Sequence, residues 1–156
     1  MKNNGFFYVG ISLFFGLLLQ IFPINSFTAF WRPQFLLMIT IYWVFKNPSQ
    51  YGVGFAWLIG IILDIFAAEM YGRYAIGFSF CAYILIILSK RIQHLNLLHQ
   101  ALLMFFVVLL NQLLTLSISL LYRPSWDLIA LIAPGITSAF AWPILLLFLN
   151  KIFNKN

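Results

Sequence analysis

Six stretches of apolar residues, separated by short polar breaks, organise the chain. They cover about residues 6 to 22, 34 to 46, 51 to 68, 74 to 89, 99 to 122 and 128 to 149. Most approach the roughly 20 residues that a helix needs to cross a hydrocarbon core about 30 Å thick. The pattern predicts an all-α fold, a polytopic bundle of six transmembrane helices that forms a single integral membrane domain over residues 1–156.

The second stretch is the short one, because Gln34 to Phe45 gives only 12 residues, about 18 Å of helix. It could form a re-entrant hairpin or a span, and the basic residues favour a span. With six crossings and the N-terminus inside, the cytoplasmic side carries Lys2, Lys46, Lys90, Arg91, Lys151 and Lys155, and the outer side carries Arg32, Arg73 and Arg123. This excess satisfies the positive-inside rule. We therefore expect both termini in the cytoplasm, and the second helix extended upward through residues 27–31 or matched by bilayer thinning.

Composition agrees with a membrane protein and excludes several other classes. Apolar residues make up 63% of the chain and charged residues 8%, whereas a water-soluble domain carries about 25% charged residues. The net charge of +6 comes from basic residues dispersed at the ends of apolar runs. Because they form no groove-sized patch, we expect a membrane lipid environment and no nucleic acid partner.

One face of the third stretch carries only small residues and a single carboxylate. Gly52, Ala56, Gly60, Asp64 and Ala68 recur at intervals of four, so they share a side of a helix. Small residues allow another helix to approach closely in lipid. This face therefore predicts close helix packing or a partner interface.

Asp64 needs a partner at this depth. An ionised Asp at the bilayer centre costs about 2.5 to 3.5 kcal/mol, and less near the interface. Arg73, at the outer end of the fourth stretch, is the leading candidate for an ion pair with Asp64, and Arg32 is the second. The alternative is that both arginines reach to lipid head groups.

A polar stripe marks the fifth stretch. Asn111, Thr115 and Ser119 are spaced by four, with Gln112 beside the first of them. Lipid offers these groups no hydrogen-bond partner, so the stripe should face protein. Structural packing within the bundle and contact with a partner are both open.

Two prolines, Pro134 and Pro143, interrupt the sixth stretch. A proline inside a helix removes a hydrogen-bond donor, so we expect a bend there, either fixed or mobile. The freed carbonyls should be satisfied by neighbours such as Thr137 and Ser138 or by other helices.

Groups for catalysis or metal binding are scarce in this sequence. It contains three carboxylates, one cysteine and two histidines. His94 and His99 are five apart, which is not the spacing that shares a metal on a helix, and no cysteine or acid stands nearby. We expect no enzyme, no cofactor and no metal.

Residues 31–114 resemble the MreD family of rod shape-determining proteins. The resemblance is carried by WRPQFLLMITIYWVFKNPSQYGVGFAWLIGIILDIF, then YGRYAIGFSFCAYIL, then HQALLMFFVVLLNQLL. It implies a multi-pass protein of the bacterial inner membrane, similar in fold to the membrane substrate-binding components of energy-coupling-factor transporters. It also implies work in the cell-elongation machinery with MreC, with MreB and with wall-synthesis enzymes, and it implies no catalytic residues.

Two functional hypotheses follow from these patterns. The first is a non-enzymatic interaction subunit, in which the small face or the polar stripe receives a partner helix such as that of MreC, or a second copy of the chain. The second is a small-molecule-binding component of a transporter, suggested by polar residues inside the membrane. A ligand site of that kind needs a cavity with several converging polar groups.

Overall fold

A computed structural model describes residues 3–22, 31–67, 72–92, 96–120 and 128–153. Its elements, in chain order, are α1 (Asn3–Ile21), α2 (Phe35–Lys46), α3 (Val53–Phe66), α4 (Arg73–Ile92), α5 (Leu97–Leu120) and α6 (Leu128–Phe153). Within these ranges the regular structure is helical throughout, and the all-α prediction of six helices is confirmed.

Two of the six helices, α5 and α6, are long and apolar enough to cross a membrane. The other four are apolar and shorter over the part of the chain that the structure describes. The helix ends differ from the apolar stretches by up to four residues. For example, α6 continues past residue 149 to Phe153, because backbone hydrogen bonding does not stop where the side chains become polar.

The short helix α2 occupies the centre of the bundle. Every residue from Leu36 to Val44 is buried, and α2 contacts α1, α3, α4 and α6. Because protein surrounds it on all sides, α2 has no need to match the thickness of a bilayer.

The predicted upward extension of α2 is wrong where the structure can test it. The helix begins at Phe35, and the chain from Trp31 to Gln34 is not helical. Pro33 explains this start, because a proline disfavours helical geometry in the residue before it. Residues 27–30 of the expected extension lie outside the described residues, as do residue 68 of the third stretch and residues 121–122 of the fifth.

The outer helices pack mainly as pairs around α2. The most extensive contacts are between α3 and α4 and between α5 and α6, followed by α4 with α5 and α1 with α2. The helical assignment of α6 is unbroken across Pro134 and Pro143, and the expected bend stays a prediction. This arrangement brings the polar residues of α2, α5 and α6 together in the interior.

Candidate functional site

The carboxylate of Asp64 caps the start of the next helix. Asp64 is fully buried, and its Oδ2 accepts hydrogen bonds from the backbone N–H groups of Gly72 at 2.9 Å and Ala75 at 3.2 Å. Its Oδ1 accepts from the N–H of Tyr74 at 2.9 Å. The first turn of α4 presents N–H groups that have no partner within the helix, and the positive end of the helix dipole favours a negative charge there. Asp64 therefore joins α3 to α4.

Glycine is required on both sides of this contact. A Cβ added at Gly60 would lie 2.7 Å from the backbone nitrogen of Ala75 and would collide with its Cα, so α3 and α4 touch backbone to backbone. Gly72 has a φ of +98°, a conformation that other residues adopt only with strain. The close approach at Gly60 allows Asp64, one turn further along α3, to reach the amides of α4.

The structure places the predicted small face mainly inside the bundle. Ala56 and Gly60 are buried, and Ala56 belongs to the hydrophobic core. Gly52 precedes α3 and has nothing within 4 Å of an added Cβ. Ala68 lies outside the described residues. The members of this face that pack tightly serve the α3 and α4 pair.

The two candidate arginines lie at or beside the ends of helices. Arg73 is the first residue of α4, and its guanidinium carbon lies 5.0 Å from the centroid of the Tyr74 ring. Arg32 donates hydrogen bonds to the carbonyls of Gln20 and Phe22 at the C-terminal end of α1, where helical carbonyls lack intrahelical donors. The ion pair of Asp64 with either arginine stays a prediction.

A chain of side-chain amides links α2, α5 and α6 inside the bundle. Asn111 Nδ2 donates to Gln34 Oε1 at 2.7 Å, and Gln34 Nε2 donates to Gln112 Oε1 at 2.7 Å. The backbone N–H of Gln34 donates to Ser138 Oγ at 3.0 Å. Asn111, Gln34 and Ser138 are all buried. Polar groups in this position stabilise the bundle only because they satisfy one another.

Gln112 also repairs the defect that Pro134 makes in α6. A proline at position 134 cannot donate to the carbonyl of Ala130, four residues earlier. Gln112 Nε2, from α5, donates to that carbonyl at 2.9 Å. Thr137 Oγ1 donates to the carbonyls of Ala133 at 3.1 Å and Pro134 at 3.2 Å. Of the two routes suggested by the sequence, a second helix reaches the carbonyl of Ala130 that Pro134 frees, whereas the Thr137 hydroxyl bonds to carbonyls that neither proline frees.

The rest of the α5 stripe divides between the interior and local contacts. Thr115 is fully buried, and its hydroxyl donates to the carbonyl of Gln112 at 3.0 Å. Ser119 is half-buried and donates to the carbonyl of Leu116 at 2.8 Å. Asn111 faces Gly77 of α4, where an added Cβ would collide with Asn111 Oδ1. That oxygen has no hydrogen-bond partner among the described residues.

Two members of the amide network, Gln34 and Ser138, were not singled out as site residues from the sequence. Gln34 stands at the polar edge of the shortest apolar stretch, where it resembles an ordinary boundary residue. Its place directly before an apolar stretch was the available signal, because an amide at membrane depth needs a partner.

An aromatic cluster closes one end of the bundle, the end that carries Lys46 and Lys151, referred to below as the lysine end. Trp43 Nε1 donates to Ser12 Oγ at 2.8 Å, which ties α2 to α1. Tyr42 donates its hydroxyl to Asn150 Oδ1 at 2.9 Å, which ties α2 to α6. The ammonium of Lys46 lies 5.5 Å from the Trp43 ring centroid and 5.6 Å from that of Tyr42.

Two apolar grooves lined by described residues open on the outside of the bundle. The α5–α6 groove encloses about 700 Å³, and its lining includes Leu98, Ala101, Phe105, Ala139, Phe140 and Pro143. The α1–α6 groove encloses about 760 Å³, and its lining includes Tyr8, Phe15, Ile39, Leu145, Phe148 and Phe153. Both are lined almost wholly by carbon, so they suit an apolar occupant.

The described residues hold no group of three His, Cys, Asp or Glu side chains that could bind a metal. Glu69, His94 and Asp127 lie outside those ranges. Asp64 has its carboxylate committed to three backbone amides. What the described site offers chemically is helix-to-helix contact.

Comparison with known proteins identifies the family. The model of the family "rod shape-determining protein MreD" matches residues 1–152. The Rod shape-determining protein MreD of Haemophilus influenzae (strain ATCC 51907 / DSM 11121 / KW20 / Rd) is 25% identical over 124 residues, which cover 80% of this chain and 76% of that protein. No solved structure matches the chain.

Proposed function

Because the chain belongs to the MreD family of rod shape-determining proteins, we propose that it is a non-enzymatic inner-membrane subunit of the bacterial cell-elongation complex. In this role it binds MreC and helps to organise lateral peptidoglycan synthesis. MreB and the wall-synthesis enzymes are then partners through the complex. Family membership itself assigns a part in determining rod shape, and the family's description names no enzymatic reaction.

The observation that supports docking is how the bundle distributes its side chains. The small and polar residues that pack tightly, including Gly60, Asn111 and Thr115, are buried. Bulky apolar side chains such as Trp57, Phe106 and Phe140 point outward instead. Within the described residues, the surface that remains for contact with another membrane protein is therefore the outward apolar faces. This shifts the proposed partner interface away from the two stripes that the sequence suggested.

The α5–α6 groove is the surface we assign to the partner helix. Ala101 and Ala139 contribute small side chains to it, and small residues let a second helix approach closely in lipid. Pro143, also in its lining, cannot donate to the carbonyl of Ala139, four residues earlier. A polar side chain on the incoming helix would gain a hydrogen bond at that carbonyl, which adds specificity to an otherwise apolar contact.

The proposed placement is six membrane crossings with both termini in the cytoplasm. The length and composition of α5 and α6 support two of these crossings. The excess of basic residues on the predicted cytoplasmic side supports the orientation. The enclosed position of α2 among α1, α3, α4 and α6 supports a crossing by a helix too short to span lipid by itself.

Capture of MreC from membranes tests the role and the groove together. In Ala139→Trp a large side chain fills the α5–α6 groove, and we expect MreC captured by the tagged chain to fall about ten-fold, the factor that corresponds to 1.4 kcal/mol. Rod shape should be lost in cells that depend on this variant. Leu147→Trp is the matched control, because Leu147 lies on the same helix, is 59% exposed and lies outside the linings of both grooves. Undiminished capture by Ala139→Trp would exclude this groove, and no capture by the native chain would exclude MreC binding.

The alternative of a small-molecule-binding transporter component lacks a comparable observation in its favour. Both grooves present carbon almost exclusively, whereas a ligand site needs several converging polar groups. The amides of Gln34 and Gln112 are bonded to each other and to α5 and α6. The implied likeness in fold to the energy-coupling-factor components stays a prediction.

A further inference from the structure

The α1–α6 groove differs from the α5–α6 groove in what surrounds it. It runs along α1 from Tyr8 to Leu19 and along α6 from Ala141 to Phe153, with Phe35 and Ile39 of α2 at its base. It exists because α1 packs chiefly on α2, which leaves a cleft between α1 and α6. The twelve residues of α1 from Tyr8 to Leu19 span about 17 Å, roughly half of a hydrocarbon core.

Bulky flexible side chains form the rim of this groove. Ile144 is 72% exposed, Phe148 is 61% exposed and Phe15 is 60% exposed. The lining of the α1–α6 groove is almost wholly carbon, so it suits an apolar occupant such as an acyl chain.

Cations and aromatic rings stand at one end of the groove. Lys151 is exposed and lies seven residues after Ile144, which places it on the same face of α6 as the groove rim. Lys46 stands over Trp43, whose ring nitrogen donates to Ser12 in the groove lining. The Trp43 ring also lies 5.5 Å from that of Phe153. Tryptophan and tyrosine side chains are enriched at the level of lipid head groups.

From this juxtaposition we propose that the α1–α6 groove is a binding site for one anionic phospholipid. Its acyl chain lies along the groove, and its phosphate meets Lys151 and Lys46 at the lysine end. The charges are complementary, because basic residues beside helices on the cytoplasmic side attract anionic head groups. The site rests on the proposed bilayer placement of α1 and α6 and is independent of MreC binding.

Native mass spectrometry of the full chain, purified in detergent, tests the site. The chain is incubated with phosphatidylglycerol or with phosphatidylcholine of the same acyl chains. We expect one phosphatidylglycerol to be retained in preference to phosphatidylcholine. Lys151→Gln should reduce that preference about five-fold, the factor corresponding to about 1 kcal/mol for one lysine near an anionic surface. Ala141→Trp, which fills the groove, should abolish retention, and Leu147→Trp should leave it unchanged.

A second measurement keeps the test sharp if Ala141→Trp does not fold. Phosphatidylglycerol with a photoreactive group in its acyl chain, bound to the native chain, should label peptides from α1 and α6. Equal retention of the two lipids, labelling confined to other helices, or a dimer of the chain that excludes lipid would each overturn the proposal. If the native chain retains no phosphatidylglycerol but captures MreC, the lipid site alone is overturned. If the native chain retains phosphatidylglycerol but does not capture MreC, the proposed docking role alone is overturned.

Discussion

Replacing Asp64 by Asn removes one charge and one hydrogen-bond acceptor from the contact between α3 and α4. The carboxylate accepts from three backbone N–H groups, two at Oδ2 and one at Oδ1. The amide oxygen of Asn can replace only one carboxylate oxygen, and its NH₂ group then faces a backbone N–H, donor against donor. Asp64→Asn therefore changes the polar contact while the size of the side chain stays nearly the same.

The magnitude follows from these three bonds. One N–H left without a partner costs about 1 to 3 kcal/mol, and each of the other two bonds loses the extra strength that a charged acceptor gives. The sum is about 3 to 5 kcal/mol in a water-excluded site. A chain unfolded within a membrane also finds polar partners, which lowers measured values, so we expect a loss of about 2 kcal/mol. For a chain of this length that corresponds to a melting temperature lower by roughly 4 to 8 °C.

The assay is the melting temperature of the purified chain in detergent, followed by the fraction that remains monodisperse after heating. Arg73→Gln is the companion variant, because it leaves the three backbone donors of α4 in place. We expect Arg73→Gln to cost less than half as much as Asp64→Asn. A melting temperature within about 1 °C of the native value for Asp64→Asn would refute the cap. Equal losses for the two single variants, with no further loss in the double variant, would show that the predicted ion pair carries the stability.

Three further outcomes are expected. Gly60→Ala should destabilise the chain by about 1 to 3 kcal/mol, because the added methyl overlaps the backbone of α4. Gly54→Ala, on the same helix and with open space around it, should not destabilise the chain. Equal melting temperatures for the two variants would contradict the close contact. Gln112→Ala should lower stability by about 0.6 to 1.7 kcal/mol. The loss should be smaller when Pro134 is replaced by Ala, because the N–H of residue 134 can then donate to the carbonyl of Ala130. Identical losses in both backgrounds would refute the role of Gln112 at that carbonyl. Ser49→Cys, in a background without the native cysteine, should react with an impermeant thiol reagent only from the cytoplasmic side, and labelling from outside would overturn the orientation.

Much of the fold was predictable because a membrane helix is visible in the sequence as a long run of apolar residues. The six helices and the all-α class follow from apolar runs and polar breaks alone. The expected extension of α2 was wrong at Trp31 because length in lipid was the criterion, whereas α2 is surrounded by protein and begins at Phe35, after Pro33 and Gln34. A helix must be long enough to cross the bilayer where lipid surrounds it, but a helix enclosed by protein can be shorter.

The sequence predicted the kinds of contact in the site but not the partners in each contact. The sequence indicated that Asp64 needs donors, but the observed donors are the backbone amides of Gly72, Tyr74 and Ala75, which no side chain in the sequence reveals. Outward and inward faces were harder to separate. Lipid tails are as apolar as a protein interior, so exposed Phe140 and buried Phe78 look alike in the sequence. In the sequence, only the polar and small residues indicate which face of a helix points into the bundle.

The enclosure of α2 has a consequence for the order in which the protein is made. Gln34 bonds to Ser138 and Tyr42 bonds to Asn150, so α2 is held by a helix that is synthesised after α3, α4 and α5. Chains are synthesised from the N-terminus at about 5 to 20 residues per second, so α2 waits several seconds for those contacts. During that interval the backbone N–H of Gln34 and the hydroxyl of Tyr42 lack the partners that α6 supplies, so these two contacts of α2 form only after α6 has been made.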